Sequence, residues 1–340
     1  MEYIVYSVKS VSPIFLIIAI GTILRKVGLI DKIFSEKITR LVFNIFLPAL
    51  LLKSLILVDF QKTQSFRMIL TVWGTLFACF FISRGFSCLV VSRRQSRGFF
   101  VSGAIWGNVA IMGYALGEAL YGLEGLARAA IFSALVMPVH IFIGYLSMNS
   151  YASLRFVSNS GSEHTQTQQS VNGSNSARGM LTVSRIKYFA SKLSFIANPV
   201  TMSIALGILL NLLQFKIPDL ALTLLDILGE MSLPLSLIAI GGSLQFRIAN
   251  WGESLFAAVI KLIVMPAAAF LIARVMQLER AWTASIVIGF SCPTAISFFV
   301  ISRSLGHEAS RAAAIITAST VGSAFSAGII ATLLKLWGYA

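Results

Sequence analysis

The sequence predicts an all-α polytopic membrane protein. Ten transmembrane helices form two inverted five-helix repeats, and helices 4 and 9 are broken and cross. Three observations predict this. Of the 340 residues, 57% are hydrophobic and 12% charged, about half the charge of a soluble domain. Apolar runs close to 20 residues recur, the length that spans a bilayer. The two halves of the chain also align at a nearly fixed offset.

The runs place spans near 9–25, 38–58, 66–90, 99–117 and 127–148, then near 195–213, 221–243, 254–274, 282–302 and 312–334. The first run, Val11 to Leu24, has no basic stretch before it and is followed by "RKVGLIDK". It reads as a retained span rather than a signal peptide. Cys79, Cys88 and Cys292 all fall in apolar runs and read as packing residues, with no disulfide or zinc spacing.

A net charge of +14 raises nucleic acid as a partner. The positions of the charges argue against it. The loops after spans 1, 3, 5, 7 and 9, with adjoining span ends, hold 17 of the 27 Lys and Arg residues. By the positive-inside rule that side is cytoplasmic, and both termini are non-cytoplasmic. The expected location is a cell membrane, inner or plasma, crossed many times. The lipid bilayer is then the first partner.

Between the halves, 158–179 reads "SNSGSEHTQTQQSVNGSNSARG", with Val171 and Ala177 its only aliphatic residues. Such a tract cannot bury a core and is expected to be disordered. Its sequon Asn172-Gly173-Ser174 falls on the cytoplasmic side, where it is unused. The following "LTVSRIKYFASKLSFI" fits an interfacial helix or an ordinary basic linker. The organisation is therefore 1–148 for the first repeat, 149–194 for a cytoplasmic, partly disordered loop, and 195–340 for the second repeat.

Pro13 and Gly21 map onto Pro199 and Gly207 at a shift of 186, which also maps Pro48 onto Pro234. Arg128 in "GLARAAI" maps onto Arg311 in "EASRAAAI" at a shift of 183. Five spans per half is an odd number, so the second half enters the membrane upside down. That is a common construction of secondary transporters.

Span 4 contains "SGAIWGNVAIMGYALG" and span 9 "SIVIGFSCPTAISFFV". Glycine weakens a helix by about 1 kcal/mol against alanine, and proline removes a donor and clashes with the preceding turn. Unwound backbone survives in a membrane only where protein buries it or a cavity receives it. Both halves place their weakest helix at the same repeat position. Half-helices meeting there aim positive dipole ends at an anion. The candidate substrate-binding residues are Gly107, Asn108, Gly113, Ser291, Pro293 and Thr294. Asn108, Ser291 and Thr294 would add directional hydrogen bonds. The plainer reading makes these glycines and Pro293 packing kinks.

The chain resembles the auxin efflux carrier family, in its short prokaryotic form, from end to end. The resemblance is carried by "PIFLIIAIGTILRKVGLID", "RLVFNIFLPALLL", "WGNVAIMGYALGEALYG", "ANPVTMSIALGILLNLL", "LPLSLIAIGGSL", "PTAISFFVISRSLG" and "STVGSA", in that order. It implies a scaffold of spans 1, 2, 6 and 7, and a transport unit of spans 3–5 and 8–10. It also implies dimers through the scaffold and organic anions such as carboxylates as cargo. Asn108 matches the family's span-4 asparagine and Pro293 its span-9 proline. A proline usual two residues after Gly113 is replaced here by Ala115, so the first break rests on Gly107 and Gly113.

Glu230 and Lys261 lie inside spans, where an isolated charge costs about 2.5–3.5 kcal/mol on the gentlest scale. Two readings stand: Glu230 takes up a proton during transport, or the two form a structural pair. Asp226, Glu118 and Lys53 lie nearer span ends and can snorkel. His140 reads as a packing residue. No Walker loop, GxSxG elbow or HExxH pair occurs, so no enzyme, cofactor or metal site is expected. The expected function is secondary active or facilitated transport of a small organic anion by alternating access. The alternatives are a passive anion channel and a non-transporting membrane sensor or scaffold.

Overall fold

The computed structural model describes residues 2–57, 65–159, 199–244, 251–304 and 309–339. Most of the loop expected to be cytoplasmic, its sequon and the proposed interfacial helix lie outside the described residues. The described chain is helical, and seven of its helices are long and apolar enough to cross a membrane. It is a polytopic membrane protein.

The first half runs α1 (Glu2–Lys26), α2 (Lys32–Leu41), α3 (Leu47–Leu57), α4 (Ser65–Val90), α5 (Arg97–Ile105) and α6 (Tyr114–Asn159). The second runs α7 (Pro199–Leu212), α8 (Asp219–Glu230), α9 (Ser232–Ser243), α10 (Trp251–Val259), α11 (Met265–Val275), α12 (Arg280–Phe290), α13 (Ile296–Ser304) and α14 (Ala309–Leu336).

Proline explains several of the divisions. One π-helical turn, Val42–Phe46, joins α2 to α3, and another, Ile260–Val264, joins α10 to α11. Each ends two residues before a proline, Pro48 or Pro266. A proline clashes with the carbonyl four residues back and cannot donate to it; the widened turn absorbs both defects. Similarly, α8 gives way to α9 at Met231, three residues before Pro234.

The expected ten spans and the seven long helices differ at spans 4, 6 and 9; of span 6 the described residues include only the 14-residue α7. Expected spans 4 and 9 are each split into pieces too short to cross alone: α5 ends at Ile105, and α12 ends at Phe290. Expected spans 4 and 5 also run together in α6, which carries a non-helical turn at Gly122 (φ 62°, ψ −152°). Only glycine takes that left-handed backbone without strain. The turn folds the chain back on itself, and the Gly117 and Gly125 backbones touch. There Tyr114 and Ser133 share a buried hydroxyl contact of 2.5 Å.

Close helix pairs organise the rest. α1 packs along α9, and α3 along α7 and α8. A second group joins α4, α5, α6 and α10 to α14. The α1–α9 seam is backbone on backbone. A Cβ at Gly21 would lie 2.3 Å from the Ile238 carbonyl oxygen, and one at Gly241 would lie 2.0 Å from that of Ile18. Small residues allow this approach, the main source of helix adhesion where lipid is as apolar as leucine. Thr22 Oγ1 donates to the Gly241 carbonyl at 3.0 Å. Arg25 donates to the carbonyls of Gly242 at 2.8 Å and Leu244 at 3.0 Å.

Cys79 and Cys292 are buried free thiols, as packing residues should be. Cys88 is exposed near the end of α4, where Arg97 donates to its sulfur at 3.6 Å. The packing reading fails for Cys88 because it lies on the outward side of the helix.

Candidate functional site: a bridge between two broken helices

α5 stops at Ile105 because Trp106 takes an extended backbone (φ −78°, ψ 93°). Gly107 and Asn108 follow unwound, then a π-helical turn over Val109–Gly113 leads into α6. In the second half, Ser291 to Ala295 leave the helix between α12 and α13. The two breaks lie against each other. Gly107 and Thr294 form an isolated antiparallel bridge. The Asn108 N–H donates to the Pro293 carbonyl at 2.7 Å, and the Ala295 N–H donates to the Trp106 carbonyl at 3.0 Å.

This arrangement answers the question of where unwound backbone goes in an apolar interior. Each break supplies the partner that the other lost. Side chains complete the set. Thr294 Oγ1 donates to the Gly103 carbonyl at 2.9 Å, and Ser319 Oγ accepts the Thr294 N–H at 3.0 Å. Trp106 Nε1 donates to Ser297 Oγ at 3.1 Å. His140 is buried with its ring 5.5 Å from that of Trp106, a packing position.

The sequence-selected residues divide by role. Gly107, Pro293 and Thr294 form the bridge. Gly113 ends the π-turn, and its Cα faces Val109 and the Cys292 sulfur. Ser291 is fully buried, and its hydroxyl donates back to the Ile288 carbonyl at 2.7 Å. Asn108 differs from the others. Its main chain is in the bridge, and its carbonyl accepts from Met112 and Gly113. The residue is 7% exposed, and its carboxamide does not cap the following turn and has no hydrogen-bond partner among the described residues. Beside it the first N–H groups of a helical turn stand free of intrahelical partners, as at any helix start.

Of the two readings for Glu230 and Lys261, the structural pair does not form among the described residues. Glu230 is exposed at the end of α8, while Lys261 is 1% exposed. Lys261 Nζ instead donates to the Phe290 carbonyl at 3.2 Å and to the Met265 sulfur at 3.5 Å. Position along a span gave depth but not azimuth, and the two residues point to different surroundings. Lys53 and Asp226, read as snorkelling charges, pair with each other. Glu253 pairs with Arg311, whose guanidinium also donates to Ser96 Oγ at 2.7 Å and lies over the Phe99 ring.

Trp106, Gly103, Ser297 and Ser319 join the crossing without a motif that assigns them a role; only the general polar content of spans 4, 9 and 10 points to them. Two open grooves lie elsewhere. One, of about 580 Å³, is lined by Phe86, Leu89, Val90, Gly252, Glu253 and Phe256; the other, of about 430 Å³, lies between α1 and α14. Among the described residues, no group of three His, Cys, Asp or Glu side chains could hold a metal ion.

Comparison with known proteins agrees with this architecture. A family model described as membrane transport protein matches residues 6–331. The chain belongs to that family, the one its auxin-efflux-carrier-like stretches pointed to. No curated protein matches the chain.

Proposed function

We propose that this membrane transport protein is a secondary carrier, active or facilitated, for a small organic anion bearing a carboxylate. The anion binds at the crossing of spans 4 and 9 and moves by alternating access. The single observation that carries this reading is the Asn108 carboxamide. The residue is 7% exposed, and its carboxamide is unpartnered among the described residues beside two bridged helix breaks. Its unengaged N–H donors suit a ligand carboxylate.

The chemistry of the opposed breaks favours an anion. The turn after Asn108 and the start of α13 both present helix N-termini, whose N–H groups and dipoles attract negative charge. Asn108 would orient the carboxylate. Gly107, Pro293 and Thr294 would hold the two breaks in register. Gly113 would allow the tight turn after Asn108, and Ser291 would close the end of α12.

In this reading the ten spans form two inverted repeats. The packing groups correspond to its working parts: α1, α2, α3, α7, α8 and α9 as the scaffold, and α4 to α6 with α10 to α14 as the transport unit. A homodimer would form through the scaffold, and both termini would be non-cytoplasmic. Glu230 forms no ion pair among the described residues and is assigned no role in coupling.

The test is counterflow in proteoliposomes, with small carboxylates chosen by thermal shift on the purified protein. A carrier exchanges labelled for unlabelled carboxylate. A channel shows flux without trans-acceleration, and a sensor shows none; either result ends the proposal. Asn108→Leu should weaken carboxylate binding roughly ten- to hundredfold, the loss of one charge-assisted hydrogen bond, without unfolding the protein.

A further inference from the structure

Lys261 is a cation in the most apolar of the long helices, Trp251–Val275. It is 1% exposed, and no carboxylate pairs with it among the described residues. Something other than an ion pair must compensate it.

The compensation comes from a helix end. Phe290 is the last residue of α12. In an unbroken helix its carbonyl would accept the N–H of Thr294. That N–H goes to Ser319 Oγ instead, so the Phe290 carbonyl is orphaned by the break, and Lys261 Nζ takes its place at 3.2 Å. The other break lies close by. A Cβ at Gly107 would lie 2.9 Å from Lys261 Nζ and 3.3 Å from Cε. The ammonium therefore sits on the carbonyl-rich C-terminal end of α12, beside the unwound Gly107. That end carries partial negative charge. In carriers built on discontinuous helices, unwound carbonyls and half-helix C-termini are the places that coordinate a coupling sodium ion or proton.

We infer that the Lys261 ammonium is a tethered counter-cation in the seat that an alkali ion would otherwise occupy, so that the crossover is complete without sodium. The lysine acts through the backbone of the breaks and is a positioning residue. Where the carrier reading holds, it follows that carboxylate movement draws nothing from a sodium gradient. Gly107 is needed on the same account, because any side chain there would displace the ammonium.

The experiment measures apparent melting temperature of the full chain in detergent, in sodium chloride against choline chloride at equal ionic strength. The wild type should melt alike in both. Lys261→Ala, which empties the seat, should melt about 3 °C or more below wild type in choline. It should recover along a saturating sodium titration. Lys261→Met, which fills the seat with an uncharged stem, should melt below wild type in both salts without recovery. If Lys261→Ala folds only when prepared in sodium chloride, that result supports the inference equally. A sodium-specific rise in the wild type overturns it. So does a Lys261→Ala protein indifferent to sodium, or a Lys261→Met protein as stable as wild type. None of these readouts involves substrate, so their failure and the failure of the carrier reading are separate results.

Discussion

Gly241→Ala should damage the α1–α9 seam, and its size can be worked from the contacts. The added methyl would lie 2.0 Å from the Ile18 carbonyl oxygen and 2.9 Å from its carbon, both backbone atoms. Ordinary contact begins near 3.4 Å. The two helices must therefore part by about 1.4 Å, since neither backbone has a flexible end that can swing aside. That movement breaks the bond from Thr22 to Gly241 and strains those from Arg25 to Gly242 and Leu244. Overpacking of this kind costs about 1–3 kcal/mol. Interhelical hydrogen bonds within membranes add roughly 0.6 kcal/mol each. Alanine returns about 1 kcal/mol of helix propensity. The net loss is about 1–4 kcal/mol. Gly85→Ala supplies the control, because a Cβ at Gly85 in α4 meets nothing within 4 Å and only the propensity gain remains. Thermal unfolding in one detergent should rank Gly85→Ala at or above wild type and Gly241→Ala clearly below. If Gly241→Ala melts with Gly85→Ala, the backbone seam is not a source of cohesion and the reasoning fails.

Other substitutions test the crossing and its surroundings. Thr294→Val keeps the shape but removes the donor to the Gly103 carbonyl; it should cost about 1 kcal/mol, read as a lower melting temperature. Ser319→Ala leaves the Thr294 N–H unsatisfied in a buried site. It should cost about 1–3 kcal/mol, and hydrogen exchange at Thr294 should accelerate. Glu253→Gln strips Arg311 of its carboxylate partner, and the double variant with Arg311→Met should be less damaged than the sum of the single ones, as a double-mutant cycle in thermal stability will show. Glu230→Gln should leave the pH dependence of transport unchanged, since the carboxylate is exposed and unpaired with Lys261. An altered profile would restore it to the coupling scheme.

The breaks themselves were legible in the sequence. Gly107 and Pro293 stand where apolar runs otherwise favour unbroken helix, and the backbone departs from helix at those residues. Their mutual pairing was expected only on the strength of the proposed repeat, because a hydrogen bond over 185 residues of chain leaves no periodic trace. Lys261 shows the limit more sharply. Its depth in a span was readable, but its azimuth depends on a π-turn that rotates the residues around it. The expected partner, Glu230, faces outward, and the true partner is a carbonyl, which no residue type announces. Gly21 was noticed for its repeat mate, Gly207. Its physical partner is instead the backbone of α9 at Ile238, a relation set by tertiary packing.

The two-bond ladder from Trp106 and Asn108 to Pro293 and Ala295 has a mechanical consequence. A pair of opposed hydrogen bonds resists both sliding and rotation, so the midpoints of the two interrupted helices are one piece. Under the proposed alternating access, a motion that opens the protein to either side of the bilayer would carry this piece whole. Amide protection at Asn108 and Ala295 should accordingly survive every stage of the cycle.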